Sequence, residues 1–210
     1  MLLHLSNNLF LKININQPEE VLIADVVNKI KQNAVIIYPT DTVYALACDI
    51  KSKSAIEKLC LIKGIKPAKA HFSFICSSLS QVSDYTSNIP NNIFRLMKQV
   101  LPGAFTFILK ANNQIPKLIR NNKKTIGIRI PDNKIALAIV ELLGHPIIST
   151  SLLSKDEILT YQTDPEIIKE QYKKRVDLII DAGYGGNEPS TIIDCTKNEP
   201  LIVRQGKGQL

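Results

Sequence analysis

Five short polar segments interrupt or end the apolar stretches of this 210-residue chain, and they hold most of the side chains that could do chemistry. A single serine or threonine at a strand end is usually a turn or cap residue. Five such segments together favour a shared site, because strand ends converge on one edge of an α/β sheet, where ligands bind. Their hydroxyl, ammonium and guanidinium groups are donors suited to phosphate and carboxylate. The segments are Thr40-Asp41-Thr42; Lys63 with Lys66 and Lys69; Thr125 to Arg129; Ser149-Thr150-Ser151; and Ser190-Thr191 with Arg204.

Arg129 stands apart from the other cations because it lies within an apolar strand pattern, "TIGIRIP". Strand alternation puts Arg129 on the same face as Gly127, and the neighbouring isoleucines on the opposite face. An unpaired charge at such a position would be costly to bury. We therefore expect Arg129 to pair with a fixed anion.

The charge balance of the chain is basic, with 26 lysines and arginines against 19 acids and a formal net charge of +7. The imbalance is strong between Lys110 and Lys134, where Asp132 is the one acid. Such a stretch is either a solvated basic face or a positive rim that attracts nucleotide or RNA. The candidate RNA-contacting residues of this stretch are Lys117, Arg120, Lys123 and Lys124.

Several standard catalytic templates are missing from the sequence. It contains no phosphate-binding G-x-x-x-x-G-K-[ST] and no G-x-S-x-G, and "GYGG" at 183–186 lacks the G-x-G-x-x-G spacing. The three histidines, His4, His71 and His145, lie in unrelated contexts, so neither a histidine base nor a zinc site is predicted. Because no acidic cluster dominates, a bound metal would depend on substrate phosphates for its ligands.

The four cysteines lack C-x-x-C spacing, and three of them lie in apolar segments, which predicts buried, reduced thiols. The first ten residues, "MLLHLSNNLF", lack a basic region and a small-residue cleavage site, which argues against a signal peptide. No uninterrupted apolar run reaches membrane-spanning length. We therefore expect a cytoplasmic protein with no membrane partner. The cysteines are Cys48, Cys60, Cys76 and Cys195.

Alternating helix and strand patterns predict one mixed α/β or α+β domain over residues 1–210. Ser54 and Glu57 have capping-box spacing at the start of one helix, and Gly64 follows its end. Helices separate most strands, so part of the sheet should be parallel, whereas the last three strands should be antiparallel or mixed. Predicted helices cover 18–32, 54–64, 91–103, 134–144 and 164–176, and predicted strands cover 34–39, 71–76, 105–111, 125–131, 146–151, 177–183, 190–196 and 200–206.

Six segments, taken together, resemble the YrdC-like family in their order and spacing. They are "YPTDTVYALACD", "PGAFTFILKA", "TIGIRIPDN", "PIISTS", "PSTIIDCT" and "IVRQGKG". The stretches "FRLMKQVLPGAFTFILK" and "ISTSLLS" are most similar to the YciO branch. The resemblance covers nearly the whole chain. It implies a twisted mixed parallel and antiparallel sheet, flanked by helices, around a large open basic cavity.

The resemblance also implies an activity and its partners. The best-studied members of the family are L-threonylcarbamoyladenylate synthases, which join L-threonine, bicarbonate and ATP into threonylcarbamoyl-AMP and release pyrophosphate. Their product supplies the threonylcarbamoyl modification of adenosine in tRNA. ATP would be a substrate, and Mg²⁺ would bind through its phosphates. Other members have been described as binding double-stranded RNA or tRNA.

Site residues follow from the resemblance position by position. The amino-acid pocket would contain Thr40, Arg129, Ser149 and Ser190, with Arg129 binding the threonine carboxylate. The nucleotide would contact Lys63, Lys66, Thr125, Ser151 and Arg204, and Lys63 would be the catalytic cation.

Two positions depart from the synthase pattern, and both belong to the nucleotide side. Ile65 replaces the arginine of a Lys-x-Arg motif, and Leu153 replaces the asparagine of a Ser-x-Asn motif. Lys66 would substitute partly for the arginine, as a point charge without the planar fork. Three readings therefore remain open: a threonylcarbamoyl-AMP synthase or a paralogue with weak synthase chemistry, an RNA-binding protein without that activity, and a related adenylate-forming enzyme with another amino acid or carboxylate.

Overall fold

A ten-stranded sheet organises the computed structural model, which describes residues 9–119, 124–152, 162–197 and 199–210. Six helices accompany the sheet in these ranges. The strands are β1 (Phe10–Lys12), β2 (Ile36–Tyr38), β3 (Ala45–Asp49), β4 (Ser73–Ile75), β5 (Phe105–Lys110), β6 (Thr125–Arg129), β7 (Ile147–Ser151), β8 (Leu178–Asp181), β9 (Thr191–Asp194) and β10 (Leu201–Arg204). The helices are α1 (Glu20–Lys31), α2 (Lys53–Lys63), α3 (Leu79–Tyr85), α4 (Asn91–Val100), α5 (Lys134–Leu143) and α6 (Pro165–Tyr172).

The strand order is β1-β8-β2-β3-β7-β4-β6-β5-β9-β10. Parallel pairs join β8 to both β1 and β2, β4 to β6, and β5 to β9, and the remaining neighbours are antiparallel. The predicted mixed sheet flanked by helices is therefore confirmed. The last three strands do not form one unit, however. Only β9 and β10 pair with each other, while β8 lies at the far side of the sheet between β1 and β2.

Two apolar clusters bury different parts of the sheet. One cluster contains the inward residues of α2, α3, α4 and α6 together with one face of the sheet. The other places α1 and α5 over β8, β2, β3 and β7 on the opposite face. Ile75 of β4 belongs to this second cluster, whereas Ser73, two residues earlier on the same face, lines a cavity. Helices α1 and α5 therefore cover this face of the sheet only as far as β4, where the cavity begins.

Local sequence explains most helix boundaries. Helix α1 buries Ile23, Val26, Val27 and Ile30, the one-face spacing of an amphipathic helix. Helix α2 ends at Gly64, whose positive φ of 67° suits glycine, as predicted.

The predicted capping box of α2 is wrong. The N-cap is Ser52, whose Oγ accepts a hydrogen bond from the Ala55 N–H at 3.1 Å. Ser54 lies inside the helix and not at the N-cap position. Its spacing to Glu57 therefore fits the capping-box sequence, but Ser54 cannot form the capping-box hydrogen bonds. Strands β1 and β3 and helix α3 were not predicted as elements. They are three, five and seven residues long, too short for a strong periodic signal.

All four cysteines are buried and free, in agreement with the prediction of reduced thiols. Burial raises the pKa of each thiol, to about 12 for Cys195, so they remain protonated. In the described ranges, each helix is too short or too polar to cross a bilayer.

Candidate functional site

Arg129, at the end of β6, forms a buried ion pair with Asp41. Its Nη2 donates to Asp41 Oδ1 at 2.6 Å and to Thr42 Oγ1 at 3.1 Å. The two charged side chains are only 10% and 8% exposed. The fixed anion that the sequence required for Arg129 is therefore a protein carboxylate, contributed by the segment that follows β2.

The Thr40-Asp41-Thr42 segment closes on itself. The Thr40 hydroxyl donates to the Val43 carbonyl at 2.7 Å and accepts from the Thr42 N–H at 3.1 Å. The Thr40 and Thr42 hydroxyl oxygens lie 3.0 Å apart. The segment is thus a hydrogen-bonded turn, and that turn aims Asp41 at Arg129. The explanation of these polar residues as a turn is therefore confirmed, and the contact of Thr40 with a ligand remains a prediction.

Two polar atoms of this ion pair have no partner. Asp41 Oδ2 and Arg129 Nε are both buried and make no hydrogen bond. Leaving buried polar groups unpaired costs about 1–3 kcal/mol each. Arginine and carboxylate side chains often pair through two parallel hydrogen bonds. Arg129 and Asp41 form only one, between Nη2 and Oδ1, so the donor Nε and the acceptor Oδ2 are left without a partner.

A cavity of about 250 Å³ adjoins the ion pair. The Thr40-Asp41-Thr42 turn forms one wall, and the glycine-rich loop 183–186 forms another. A Cβ on Gly186 would lie 2.1 Å from the Thr42 carbonyl oxygen, so only glycine allows the loop to come this close. Lys207 lines the same cavity and donates to the Asp41 carbonyl at 2.6 Å. The cavity therefore has mixed donors and acceptors and the size of a small polar ligand.

A larger cavity, of about 760 Å³, lies over β4, β6, β5 and β9. Gly127 is in its floor, where a Cβ would lie 2.9 Å from Ser73 Oγ. The missing side chain makes room for the side chains of Ser73 and Thr106 on the neighbouring strands. The lining residues are Lys69, Ala70, His71, Phe72, Ser73, Thr106, Ile108, Ile119, Thr125, Ile126, Gly127, Ile192, Asp194 and Thr196.

The register of the sheet puts several predicted site residues on one face. Ser149 of β7 is level with Ser73, which is level with Gly127. Because alternate residues share a face, Ser151 and Arg129 point to the same side as these three. The predicted gathering of these hydroxyl and guanidinium groups at one part of the sheet is therefore observed.

Ser149 and Ser190 are both tied to protein hydroxyls. Ser149 Oγ lies 2.8 Å from Tyr38 OH, and Ser190 Oγ lies 2.7 Å from Thr106 Oγ1. Burial raises the pKa of Tyr38 to about 12, so its phenol is neutral. These serines hold the wall of the site in place, and their contact with a ligand remains a prediction.

The predicted nucleotide residues are spread more widely. Thr125 lines the larger cavity. Lys63 donates to the Ser151 carbonyl at 2.9 Å, and burial lowers the pKa of its ammonium group. Arg204 is exposed and donates to the Ser190 carbonyl at 2.6 Å. Lys66 is exposed. Of these five, only Thr125 lines either cavity among the described residues, and the roles of the other four remain predictions.

The predicted RNA contacts are only partly described. Lys117 and Lys124 are exposed. Lys117 begins a short 3₁₀ helix, Lys117–Ile119, that packs against a second one, Pro67–Lys69, at the larger cavity. Arg120, Lys123 and Leu153 lie outside the described residues.

Sequence reasoning missed four residues that shape the site: Asp41, Ser73, Lys207 and His71. Asp41 was part of a recognised polar segment but was not assigned as the partner of Arg129. Alternation in "HFSFIC" could have found Ser73 and His71, because it puts both on the face opposite Phe72 and Phe74. The position of Lys207 could not be predicted from sequence spacing, because its hydrogen bond to Asp41 joins residues 166 positions apart. Among the described residues, no group of three or more histidines, cysteines or acids could hold a metal ion.

Known proteins resemble this chain in both sequence and fold. The sequence profile of the Sua5/YciO/YrdC family, described as "Telomere recombination", matches residues 28–206. The chain is 44% identical over 202 residues to the uncharacterized protein YciO of Escherichia coli K12, covering 96% of this chain and 97% of that protein. The crystal structure of E. coli YciO superposes with a TM-score of 0.88 and covers 95% of this chain and 96% of that one.

Threonylcarbamoyl-AMP synthases are more distant relatives. The synthase of Bacillus subtilis is 30% identical over 199 residues, which cover 93% of this chain but 55% of that enzyme. The structure of Pyrococcus abyssi Sua5 complexed with L-threonine is 27% identical, with a TM-score of 0.85, and covers 95% of this chain and 58% of that one. This chain therefore spans little more than half the length of these two synthases.

Proposed function

Because this chain belongs to the Sua5/YciO/YrdC family, we propose that it forms threonylcarbamoyl-AMP from L-threonine, bicarbonate and ATP. The observation that carries the proposal is the buried Arg129–Asp41 pair, with one unpartnered donor and one unpartnered acceptor, on the sheet face that continues into the larger cavity. A small zwitterionic ligand and a nucleotide would have separate places there.

The amino-acid end of the proposed reaction uses the ion pair. A free amino acid carries a carboxylate that can accept from the Arg129 guanidinium and an amino group that can donate to Asp41 Oδ2. Thr42 and Asp41 hold Arg129 in one orientation, so binding requires little reordering of that side chain. The structure of the P. abyssi relative in complex with L-threonine supports threonine as the amino acid.

The nucleotide end uses the larger cavity. Thr125 and Arg129 stand at opposite ends of β6, about 13 Å apart at the usual rise of a strand. The threonine ammonium group would first lose a proton to solvent, and the resulting amine would attack the carbon of bicarbonate, releasing water and leaving a carbamate. A carbamate oxygen would then attack the α-phosphorus of ATP, and the bond to pyrophosphate would break.

The chain's contribution would be positional and electrostatic. It would align the carbamate with the α-phosphorus and place cations near the departing pyrophosphate. Mg²⁺ bound to phosphate oxygens would neutralise part of that charge. The described residues offer no acidic cluster, which fits an ion held mainly by the nucleotide.

The test is an assay of the purified chain with L-threonine, labelled bicarbonate, ATP and Mg²⁺. We expect labelled threonylcarbamoyl-AMP and one pyrophosphate per product, with no product when threonine is omitted. Replacing threonine by serine or other amino acids distinguishes a related adenylate-forming enzyme. No product at high enzyme concentration, together with no calorimetric binding of threonine, would contradict the proposal.

A second candidate function is RNA binding, favoured by the exposed cations Lys117 and Lys124 beside the larger cavity. Contacts with phosphates release counterions, so the affinity for tRNA or double-stranded RNA would fall steeply as salt is added. Replacing both lysines by glutamine should flatten that salt dependence. An unchanged slope would exclude this surface.

A further inference from the structure

We propose that Lys69 and His71 bind the polyphosphate of the nucleotide in the larger cavity, in place of the arginine position that Ile65 occupies. This inference rests on the proposed function and specifies its phosphate end. Both residues line the cavity and both are exposed to solvent. Neither belongs to the set that the sequence assigned to the nucleotide.

The backbone between α2 and β4 explains why these two side chains reach the cavity. Ala70 and Phe72 are 4% and 5% exposed and pack into the larger apolar cluster. All five residues from Lys69 to Ser73 line the cavity, and Lys69 and His71 are the exposed ones among them. The buried Ala70 and Phe72 fix this part of the backbone at the cavity wall.

The cations predicted for this role are placed elsewhere. The Lys63 ammonium group donates to the Ser151 carbonyl, and Lys63 does not line the cavity. Lys66 is exposed but is not a lining residue either. Among the described residues that line the cavity, Lys69 and His71 are the groups that can carry positive charge.

The charges around His71 favour an anionic ligand. Lys69 is in the same segment, and Lys117 belongs to the 3₁₀ helix packed against Pro67–Lys69. Asp194, on β9, is the one acidic residue among the described lining residues, and its Oδ1 accepts from the Thr196 N–H at 2.9 Å. Lys124, at the start of β6, is also exposed. Cations therefore outnumber carboxylates at this end of the cavity.

The position of His71 along the sheet also fits a contact with the terminal phosphates. Ser73 is level with Gly127 on parallel strands, so His71, two residues before Ser73, lies on the Thr125 side of Gly127, and Thr125 is four residues' length from Arg129. That length, about 13 Å at the usual rise of a strand, is comparable to the extended distance from a threonine carboxylate through the carbamate to a terminal phosphate. A substrate held by Arg129 at one end would place its β- and γ-phosphates beside His71.

The experiment measures calorimetric binding of ATP, sodium tripolyphosphate and adenosine to the whole chain and to the variants His71→Gln and Lys69→Gln. Lys31→Gln is the matched control, since it removes an exposed lysine in the last turn of α1 that does not line the cavity and has no predicted ligand contact. We expect each cavity variant to weaken tripolyphosphate binding about five- to tenfold, and the control to change it less than about twofold. Threonine binding should not change.

The outcomes separate this inference from the proposed function. Normal ATP and threonine binding with unchanged tripolyphosphate affinity in both cavity variants would overturn the inference alone. An equal loss in Lys31→Gln would overturn it as well, since it would indicate a diffuse effect of surface charge. If the two cavity variants weakened the binding of adenosine but not of tripolyphosphate, Lys69 and His71 would contact the nucleoside instead of the phosphates. That result would reject the inference. Absence of all ATP and threonine binding in the wild type would overturn both the inference and the function.

Discussion

The two ends of the site are built differently. At the Arg129 end, the charged side chains are about nine-tenths buried, and a hydrogen-bonded turn fixes their geometry. At the Lys69–His71 end, the cations are exposed side chains on a segment that packs into the core through Ala70 and Phe72. A buried site tolerates little change, because any lost partner leaves a charge unpaired. An exposed site can exchange one cation for another, and this is the end where Ile65 departs from the synthase pattern.

The largest effect should come from Arg129→Ala. Removing one partner of a buried ion pair costs about 3–5 kcal/mol of stability, because Asp41 would be left buried and uncompensated. We also expect threonine binding to disappear while ATP binding largely remains. Calorimetry of both ligands, with thermal unfolding measured alongside, checks this.

Arg129→Lys is the matched control for that prediction. It keeps the charge near Asp41 but loses the planar fork, so it should retain more stability and still bind threonine weakly. If ATP and threonine affinity fell equally in a folded Arg129→Lys protein, the division of the site into two ends would be wrong.

An intermediate effect is expected when Ile65 is changed to arginine. Restoring the Lys-x-Arg motif should raise ATP affinity several-fold, since a guanidinium can bind phosphate through two hydrogen bonds. Ile65→Gln controls for polarity without charge and should have little effect. Threonine affinity should stay constant in both variants. An equal gain in both would show that solvation, and not phosphate contact, was responsible.

A smaller effect is expected from the hydrogen bond between Tyr38 and Ser149, which supports the wall of the site. Tyr38→Phe and Ser149→Ala each remove one partner of the same buried hydrogen bond, and each should cost about 1 kcal/mol of unfolding free energy. The double variant should cost less than the sum, because the second change removes a group already unpaired. Denaturant unfolding of the three variants measures this.

The same variants test the predicted contact of Ser149 with threonine. Tyr38→Phe keeps the serine hydroxyl, whereas Ser149→Ala deletes it. Threonine affinity that falls only in Ser149→Ala supports a direct contact. Equal affinity in the two variants would leave Ser149 with a purely structural role.

The sequence predicted the larger features because they depend on local patterns. Mixed sheet, helix positions and the inward face of Arg129 all follow from periodicity between near neighbours. The partner of Arg129 does not, because Asp41 is 88 residues away and reaches it only after β2 and β6 take their places in the sheet. Likewise, nothing in the spacing of Lys63, Lys66 and Lys69 tells that the third one lines the cavity and the first binds a carbonyl.

A comparably small effect is predicted for the N-cap of the helix that carries Lys63. Helix α2 carries Lys63 at its last turn, and its first turn is capped by Ser52. Ser52→Ala should destabilise the protein by about 1 kcal/mol, because the Ala55 N–H loses its acceptor. Ser54→Ala should change stability by less than about 0.5 kcal/mol, since Ser54 lies inside the helix on its exposed side. Denaturant unfolding compares the two. Equal destabilisation would restore the Ser54 capping box, and a loss of ATP affinity in Ser52→Ala alone would show that the start of α2 helps to position the phosphate end.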